Sequence, residues 1–390
     1  MSTRPPVRTD ATHRRRLGGA VVLATVAAAL LLAACSSSTT TPPASSTTTT
    51  SAAASLSSLE NWPTTAVSLQ ETGSSLLYPL FNLWTADIQK QWPTVSITTA
   101  STGSGTGISS AAAGTVNIGA SDAYLSPAQV QQYPTLEDIP LAISGQEIAY
   151  NVPGVTGHLK LDGPTVAQIY LGKITNWNAS PIAALNPGVT LPNLPIVTVH
   201  RSDSSGDTFL FSSFLTASDP SAWTLPPGTT VSWPNVTGAV AAQGNGGMVQ
   251  ACQKSAGCIA YIGVSYLNQV TAAGLGYASL KNKSGNFELP SQAAIAAAAA
   301  QFADSTPSSG AVSMIFGSAG DGYPIINYEY GIIPTKQPSA LAAQAVKAVL
   351  AWAIDPNGGN APTYLDQVNF VALPSQVVTL STALIAKVSS

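Results

Sequence analysis

The sequence predicts an α/β protein of two lobes. Apolar residues alternate between helical and extended spacing along most of the chain, the pattern of helices laid over a sheet. About 330 residues follow a low-complexity N-terminal stretch, more than one hydrophobic core usually spans. Two extended apolar runs, far apart in the chain, each offer a route between lobes.

The order begins with a leader. Arg4, Arg8 and Arg14 to Arg16 precede the uncharged run Leu17 to Ala34, which is short for a membrane span and has the character of an export signal. The run ends Leu32-Ala33-Ala34-Cys35, which resembles a bacterial lipobox, in which the cysteine is diacylated and becomes the mature N-terminus. An uncleaved anchor helix is the alternative, and the small residues abutting Cys35 with a polar tract directly after it argue against that. Ser36 to Ser58 is almost wholly Ser, Thr, Ala and Pro without charge, so it cannot build a core and reads as a tether, open to O-linked sugar. The expected division is thus 1–34 signal peptide and 35–62 tether, the lipid holding the chain on the extracytoplasmic face of the cell membrane.

Beyond the tether, Leu80 to Gln91 places Leu80, Leu83, Trp84 and Ile88 at helical spacing, and Val95 to Thr99 is strand-like. A glycine turn, a small-residue helix over Ile108 to Ala113 and a strand about Val116 to Gly119 follow. Ile139 to Tyr150 reads as an apolar strand leading into Asn151-Val152-Pro153-Gly154, a crossing between lobes. Thr165 to Tyr170, Ala293 to Phe302 and Ala340 to Ala353 read as helices, and Gly322 to Tyr330 as a strand that returns the chain. Two crossings make the first lobe discontinuous, 63–148 with 325–390, and leave 149–324 as the second. There is no internal repeat.

Five of the 15 basic and one of the 18 acidic residues precede Cys35, so the mature chain carries ten against 17. Such a balance argues against nucleic acid or an anionic membrane surface as partner, and any anion site must be local. Apart from Cys35 the cysteines are Cys252 and Cys258. In an exported chain they read as a disulfide closing a short loop; a metal pair is the alternative, and His13, His158 and His200 are scattered away from them.

Three stretches carry chemistry: Gly103-Ser104-Gly105-Thr106-Gly107, Gly119-Ala120-Ser121-Asp122-Ala123, and Arg201 to Phe209 with Asp203, Ser205, Gly206 and Asp207. Glycines let the main chain approach a ligand, hydroxyls and N–H groups at helix starts donate to an anion, and Arg201 adds a charged fork of donors. Carboxylates have only acceptors, so Asp122, Asp203 and Asp207 suit an anion that still bears a proton. Phosphate near neutral pH is such an ion and sulfate is not. Taken singly the motifs have other readings: Gly-x-Gly-x-Gly ahead of a helix as a dinucleotide turn, although Ile108 occupies the place of the expected third glycine; Ser75 as a helix cap; Asp203 and Asp207 as a solvated ion-pair cluster about Arg201.

The ordered set is more specific. Gly73-Ser74-Ser75-Leu76-Leu77-Tyr78-Pro79, the Gly-Ser turn, Gly119 to Asp122 and Arg201-x-Asp203-x-Ser205-Gly206 resemble the PstS family of phosphate-binding proteins of bacterial ABC transporters. Leu161-Asp162-Gly163-Pro164, Ile169 to Ile174, Trp177, Leu185 to Gly188, Gly244-Asn245-Gly246-Gly247, Ala260 to Gly263 and Tyr323-Pro324 continue the resemblance in order, from about Val67 to the C-terminus. The cysteine pair and Gly73 to Trp84 are similar to its actinobacterial lipoprotein branch.

The resemblance implies a two-lobed periplasmic-binding-protein fold of type II, each lobe a sheet flanked by helices, closing on inorganic phosphate in the cleft and serving an ABC permease without cofactor or metal. It implies ligand contacts from Ser75, the backbone of Leu76, Ser104 and Asp122 in the first lobe and from Arg201, Ser205, the backbone of Gly206 and Asp207 in the second, with Asp203 bracing the arginine. Asp207 departs from the family, which often has threonine there. It either accepts a second phosphate proton or pairs with Arg201. Phosphatase chemistry on the same scaffold and a surface adhesin are the alternative functions; the first needs an activated nucleophile or metal ions, and no site motif supplies either.

Overall fold

The computed structural model describes residues 55–390. The signal peptide, Cys35 and the tether up to residue 54 lie outside the described residues. Residues 55–62, expected as the end of the tether, are ordered instead. Ser55 caps the short helix Leu56–Leu59 (α1), Leu56, Leu59 and Trp62 pack on the core, and Trp62 stacks on Trp92 with ring centroids 3.7 Å apart. Three large apolar side chains at the end of a polar tract supply the anchor.

In chain order the principal strands are Val67–Gly73 (β1), Val95–Thr98 (β2), Ile118–Ser121 (β3), Leu136–Tyr150 (β4), Val197–Arg201 (β5), Val240–Ala242 (β6), Cys258–Gly263 (β7) and Ile326–Pro334 (β8). They lie in one sheet in the order β2-β1-β3-β8-β4-β7-β5-β6. β2, β1 and β3 are parallel, as are β7, β5 and β6. Between these two parallel sets run β8 and β4, antiparallel to their neighbours. The sheet is therefore two similar halves joined through the long β4.

β4 changes partner part-way along. It pairs with β8 from Leu136 through Gly145 and with β7 from Gln146 through Tyr150. The passage between halves is thus inside the strand rather than at Asn151 to Gly154, and the chain returns at Ile326, four residues later than the expected start of that strand at Gly322. β4 and β8 are buried along nearly their whole length, as strands covered on both faces must be, and their runs of Ile, Leu, Ala and Tyr fit.

The helices follow their sequence signals. Tyr78–Gln91 (α2), with Pro79 in its first turn, buries Leu80, Phe81, Trp84 and Ile88 on one face. Ser104–Ala112 (α3) begins four residues before the expected Ile108, taking Gly105 and Gly107 into the helix. Close approach explains those glycines: a side chain on Gly105 would run into Ser204, and one on Gly107 would sit 2.9 Å from the Gly73 Cα. Gly206–Ser218 (α4) is capped by Ser205, whose Oγ accepts the Thr208 N–H at 3.3 Å. Gly244–Lys254 (α5) is tied to β7 by the Cys252–Cys258 disulfide, with Cα atoms 5.2 Å apart. Ala340–Ile354 (α6), capped by Ser339, is buried along most of its length.

Glu71, in β1, is only 2% exposed. Burial pushes its carboxyl from the usual 4.5 up to about 8, offset in part by the Ala100 backbone. The folded chain therefore keeps a proton that the unfolded chain releases, and stability falls as pH rises between about 4.5 and 8. Glu71→Gln should flatten that fall. Urea denaturation at both ends of the range tests this, and the variant's advantage over wild type should be larger at the alkaline end.

Candidate functional site

The site forms where the two halves of the sheet meet. At the end of β1, Gly73 holds φ +145 with the Ala120 backbone so close that no Cβ fits, and this delivers Ser74 and Ser75 to the ends of β1 and β3. Ser74 Oγ accepts the N–H groups of Leu76 at 3.0 Å and Leu77 at 2.9 Å and donates to Asp122 Oδ1. Capping of the turn into α2 thus falls to Ser74. Ser75 Oγ accepts from the Asn245 N–H at 3.1 Å and the Asn245 Nδ2 at 3.0 Å, which leaves its own hydroxyl proton for another acceptor.

Asp122 follows β3 and is 1% exposed. Its backbone N–H donates to Ser104 Oγ at 3.2 Å, and that hydroxyl lies 3.4 Å from Asp122 Oδ2. From the other half of the sheet comes the start of α4. A Cβ on Gly206 would stand 2.5 Å from Asp122 Oδ2 and 2.6 Å from Ser104 Oγ, so only glycine allows this approach. The N–H groups of Gly206 and Asp207 precede the first backbone bond of that turn, the Phe209 N–H to the Ser205 carbonyl, and so face the positive end of the helix dipole outward.

Arg201 ends β5 and is 4% exposed. Its Nε donates to Asp203 Oδ1 at 2.7 Å, Nη2 donates to Asp203 Oδ2, and Nη1 donates to Asp207 Oδ2 at 2.6 Å. Asp207 is fully buried and also accepts from Asn245 Nδ2 at 2.8 Å and Gln146 Nε2 at 3.1 Å. Of its two open roles the structure shows the pairing with Arg201. The solvated ion-pair reading fails, because both Arg201 and Asp207 are out of water.

The electrostatics follow from burial. Asp122 is raised well above an ordinary carboxyl, first by desolvation and then by the charge of Asp207, with Ser74, Glu329 and Arg201 offsetting in part. Asp207 is raised by burial despite Arg201. For Asp203, burial is outweighed by the hydrogen bond and charge of Arg201, and it is held below the usual range. Arg201, its burial outweighed by Asp203 and Asp207, is firmly charged.

Ser75, Ser104, Asp122, Arg201, Asp203, Ser205, Gly206 and Asp207 are therefore brought into one buried cluster. Leu76 differs in detail: its N–H is already given to Ser74, and its side chain packs on Gly263. Ser74, Asn245, Gln146 and Glu329 belong to the cluster and were not among the expected contacts. Asn245 stands in the Gly-Asn-Gly-Gly run, and Gln146 and Glu329 are polar residues inside apolar strands, which is the signal that marks them.

The chain matches the PBP superfamily domain over residues 38–357. It is 33% identical over 319 residues to phosphate-binding protein PstS of Xylella fastidiosa, covering 81% of this chain and 84% of that one. The chain belongs to the PstS family. Phosphate-binding protein PstS 2 of Mycobacterium tuberculosis is 31% identical, covering 70% of this chain and 74% of its own length. Among solved structures, a periplasmic phosphate-binding protein, PfluDING, superposes with TM-score 0.65 at 22% identity over 82% of this chain and 93% of that one. The phosphate-binding protein of Stenotrophomonas maltophilia gives 0.62 at 21% over 82% and 94%. These likenesses show the shared two-lobed α/β fold.

In this member of the family the gap between Gly206 and Asp122 sets how near the halves of the site approach. Gly206→Ala should hold them apart and weaken anion binding by at least about tenfold, while thermal unfolding stays near wild type. Calorimetric titration beside a melting curve distinguishes this from loss of folding.

Proposed function

We propose that the protein binds inorganic phosphate outside the cytoplasm and delivers it to an ABC-type permease, held to the membrane by acylated Cys35. The observation that carries this reading is Asp122, a buried carboxyl acceptor set among donors: the Ser75 hydroxyl, the Gly206 and Asp207 N–H groups, and Arg201. Arg201 has five N–H donors and gives three to Asp203 and Asp207, leaving two for a ligand. Ser104 and Ser205 complete the ligand set in this reading, and the Leu76 N–H joins it by exchanging Ser74 for the anion. Residues 63–148 with 325–390 form one lobe and 149–324 the other, and they close on the anion by bending in the short stretch of β4 between its change of partner at Gln146 and that boundary.

Selectivity rests on proton counting. Donors satisfy the bare oxygens of the anion, and Asp122 accepts the P–OH proton. Sulfate brings no proton, so one of its oxygens would face a carboxylate in a dry site, at a cost of several kcal/mol. Titration of ligand-free protein should show tight phosphate binding, detectable arsenate binding and no sulfate binding. Equal binding of sulfate and phosphate would overturn the reading.

Two substitutions refine it. Asp122→Asn turns the acceptor into a donor, so sulfate should gain affinity relative to wild type while phosphate, which can present a bare oxygen instead, still binds. Asp207→Asn in that background should not relax discrimination further, because Asp207 braces Arg201; its effect should be an equal weakening of both anions. Competition titrations of the two anions on the single and double variants measure both outcomes.

A further inference from the structure

Glu329 lies in β8 where that strand is irregular against β4. Glu329 is opposite Ala142 and Tyr330 is opposite Pro140, so Leu141 is an extra residue on β4 beside a proline that has no N–H for the ladder. On its other edge β8 pairs antiparallel with β3, Tyr330 opposite Ser121. One step further along that register, Glu329 stands across from Asp122.

Both carboxyls are buried, and the register sets them beside one another. Carboxylates have acceptors only, so two that face each other out of water are relieved when one of them holds a proton. The donors around the pair say where it sits. Asp122 accepts from Ser74 and Ser104. Glu329 Oε1 accepts from Asn327 Nδ2 at 3.1 Å and lies 2.5 Å from Ser144 Oγ, whose one proton is shared with Asn327 Oδ1 at 2.7 Å, whereas the buried Oε2 receives no N–H or hydroxyl. An oxygen without a donor, fully out of water, is the one that carries hydrogen. Burial and the charge of Asp122 both push Glu329 well up, in agreement. The charged groups that face the pair are Asp207 and Arg201, the latter with its partner Asp203.

We propose that Glu329 is a positioning residue for anion selectivity: it holds one proton and donates it to Asp122, which keeps Asp122 an ionised acceptor toward the ligand. This rests on the phosphate reading of the site. A buried aspartate next to Asp207 would otherwise take up a proton itself as pH falls, and a protonated Asp122 offers the O–H that sulfate needs. With Glu329 supplying a proton already, a second one enters the pair at lower pH than it would without that donor.

The test compares wild type, Glu329→Gln and Glu329→Leu by phosphate and sulfate titration at about pH 5.5 and about pH 8. Glutamine presents an N–H where the protonated glutamate presents an O–H, so Glu329→Gln should keep the wild-type preference for phosphate at both pH values. Glu329→Leu has no donor, and its preference should fall by at least about tenfold at the acid pH as sulfate begins to bind. Equal preferences in the two variants at both pH values overturn the proposal. An infrared spectrum keeps it decidable if neither variant binds: a carboxylic-acid absorption lost in Glu329→Gln and retained in Asp122→Asn supports it, and a spectrum unchanged by Glu329→Gln overturns it. Failure of wild type to bind phosphate would sink the phosphate reading alone, since the infrared comparison still locates the proton.

Discussion

The structure is organised around a guanidinium taken out of water. The Arg201 side chain is 1% exposed, and a buried charge is tolerable only when paired and fully hydrogen-bonded. Asp203 answers from the next turn of chain and Asp207 from the first turn of α4. Each of these then needs its own partners: Gly244 N–H for Asp203, and Asn245 and Gln146 for Asp207. The start of α4, the start of α5 and the mid-point of β4 are thereby fixed to one point. Gln146 is the first β4 residue paired with β7, so the residue that helps neutralise the arginine is also where the chain passes between halves.

Glycine governs the distance across the site. Gly206 lies against Asp122 and Ser104; a Cβ on Gly103 would stand 2.5 Å from Asp203 Oδ2, and one on Gly105 would overlap Ser204. The Gly105 N–H donates to the Ser204 carbonyl at 3.0 Å. These contacts join elements of one half of the sheet to elements of the other, backbone against side chain or backbone, and leave no room for a larger residue at these glycines. The side chains of Ser104, Asp122, Arg201 and Asp207 beside them are buried, which strengthens every donor aimed inward.

Much of this was legible in the sequence. Asp122, Arg201, Asp203 and Ser104 sit in short polar, glycine-rich segments between apolar strands, and that contrast marks ligand loops. Other parts required the pairing of distant strands. Glu329 is a lone carboxyl in an apolar run, and only the register of β8 against β3 sets it opposite Asp122. Asn245 gains its role by reaching both Ser75 and Asp207, which are remote from it in the chain. The glycines at 105 and 107 read as a turn because helix propensity disfavours them, yet packing against Ser204 and Gly73 overrides that preference and starts α3 at Ser104. Asp207 was open between two roles because its direction is set by Gln146 and Asn245, neither of which is near it in sequence.

The charge count of the cluster limits how it can act. Asp203 and Asp207 together outweigh Arg201, and Asp122 adds a further acidic group, so an approaching anion meets no net positive field. Attraction must come from oriented dipoles: the first N–H groups of α4, the Ser75 hydroxyl and the two unclaimed N–H groups of Arg201. Dipoles of this kind satisfy oxygen atoms one at a time and repel protons on the ligand, whereas carboxylates do the reverse. A site that mixes them counts hydrogens on its ligand, and the count is sharp only while every protein proton has a fixed owner. On the proposed reading, that is why Ser74, Ser104 and Glu329 converge on Asp122, and why Asp207 is bound so fully to Arg201 that only one acidic group is left to face the anion.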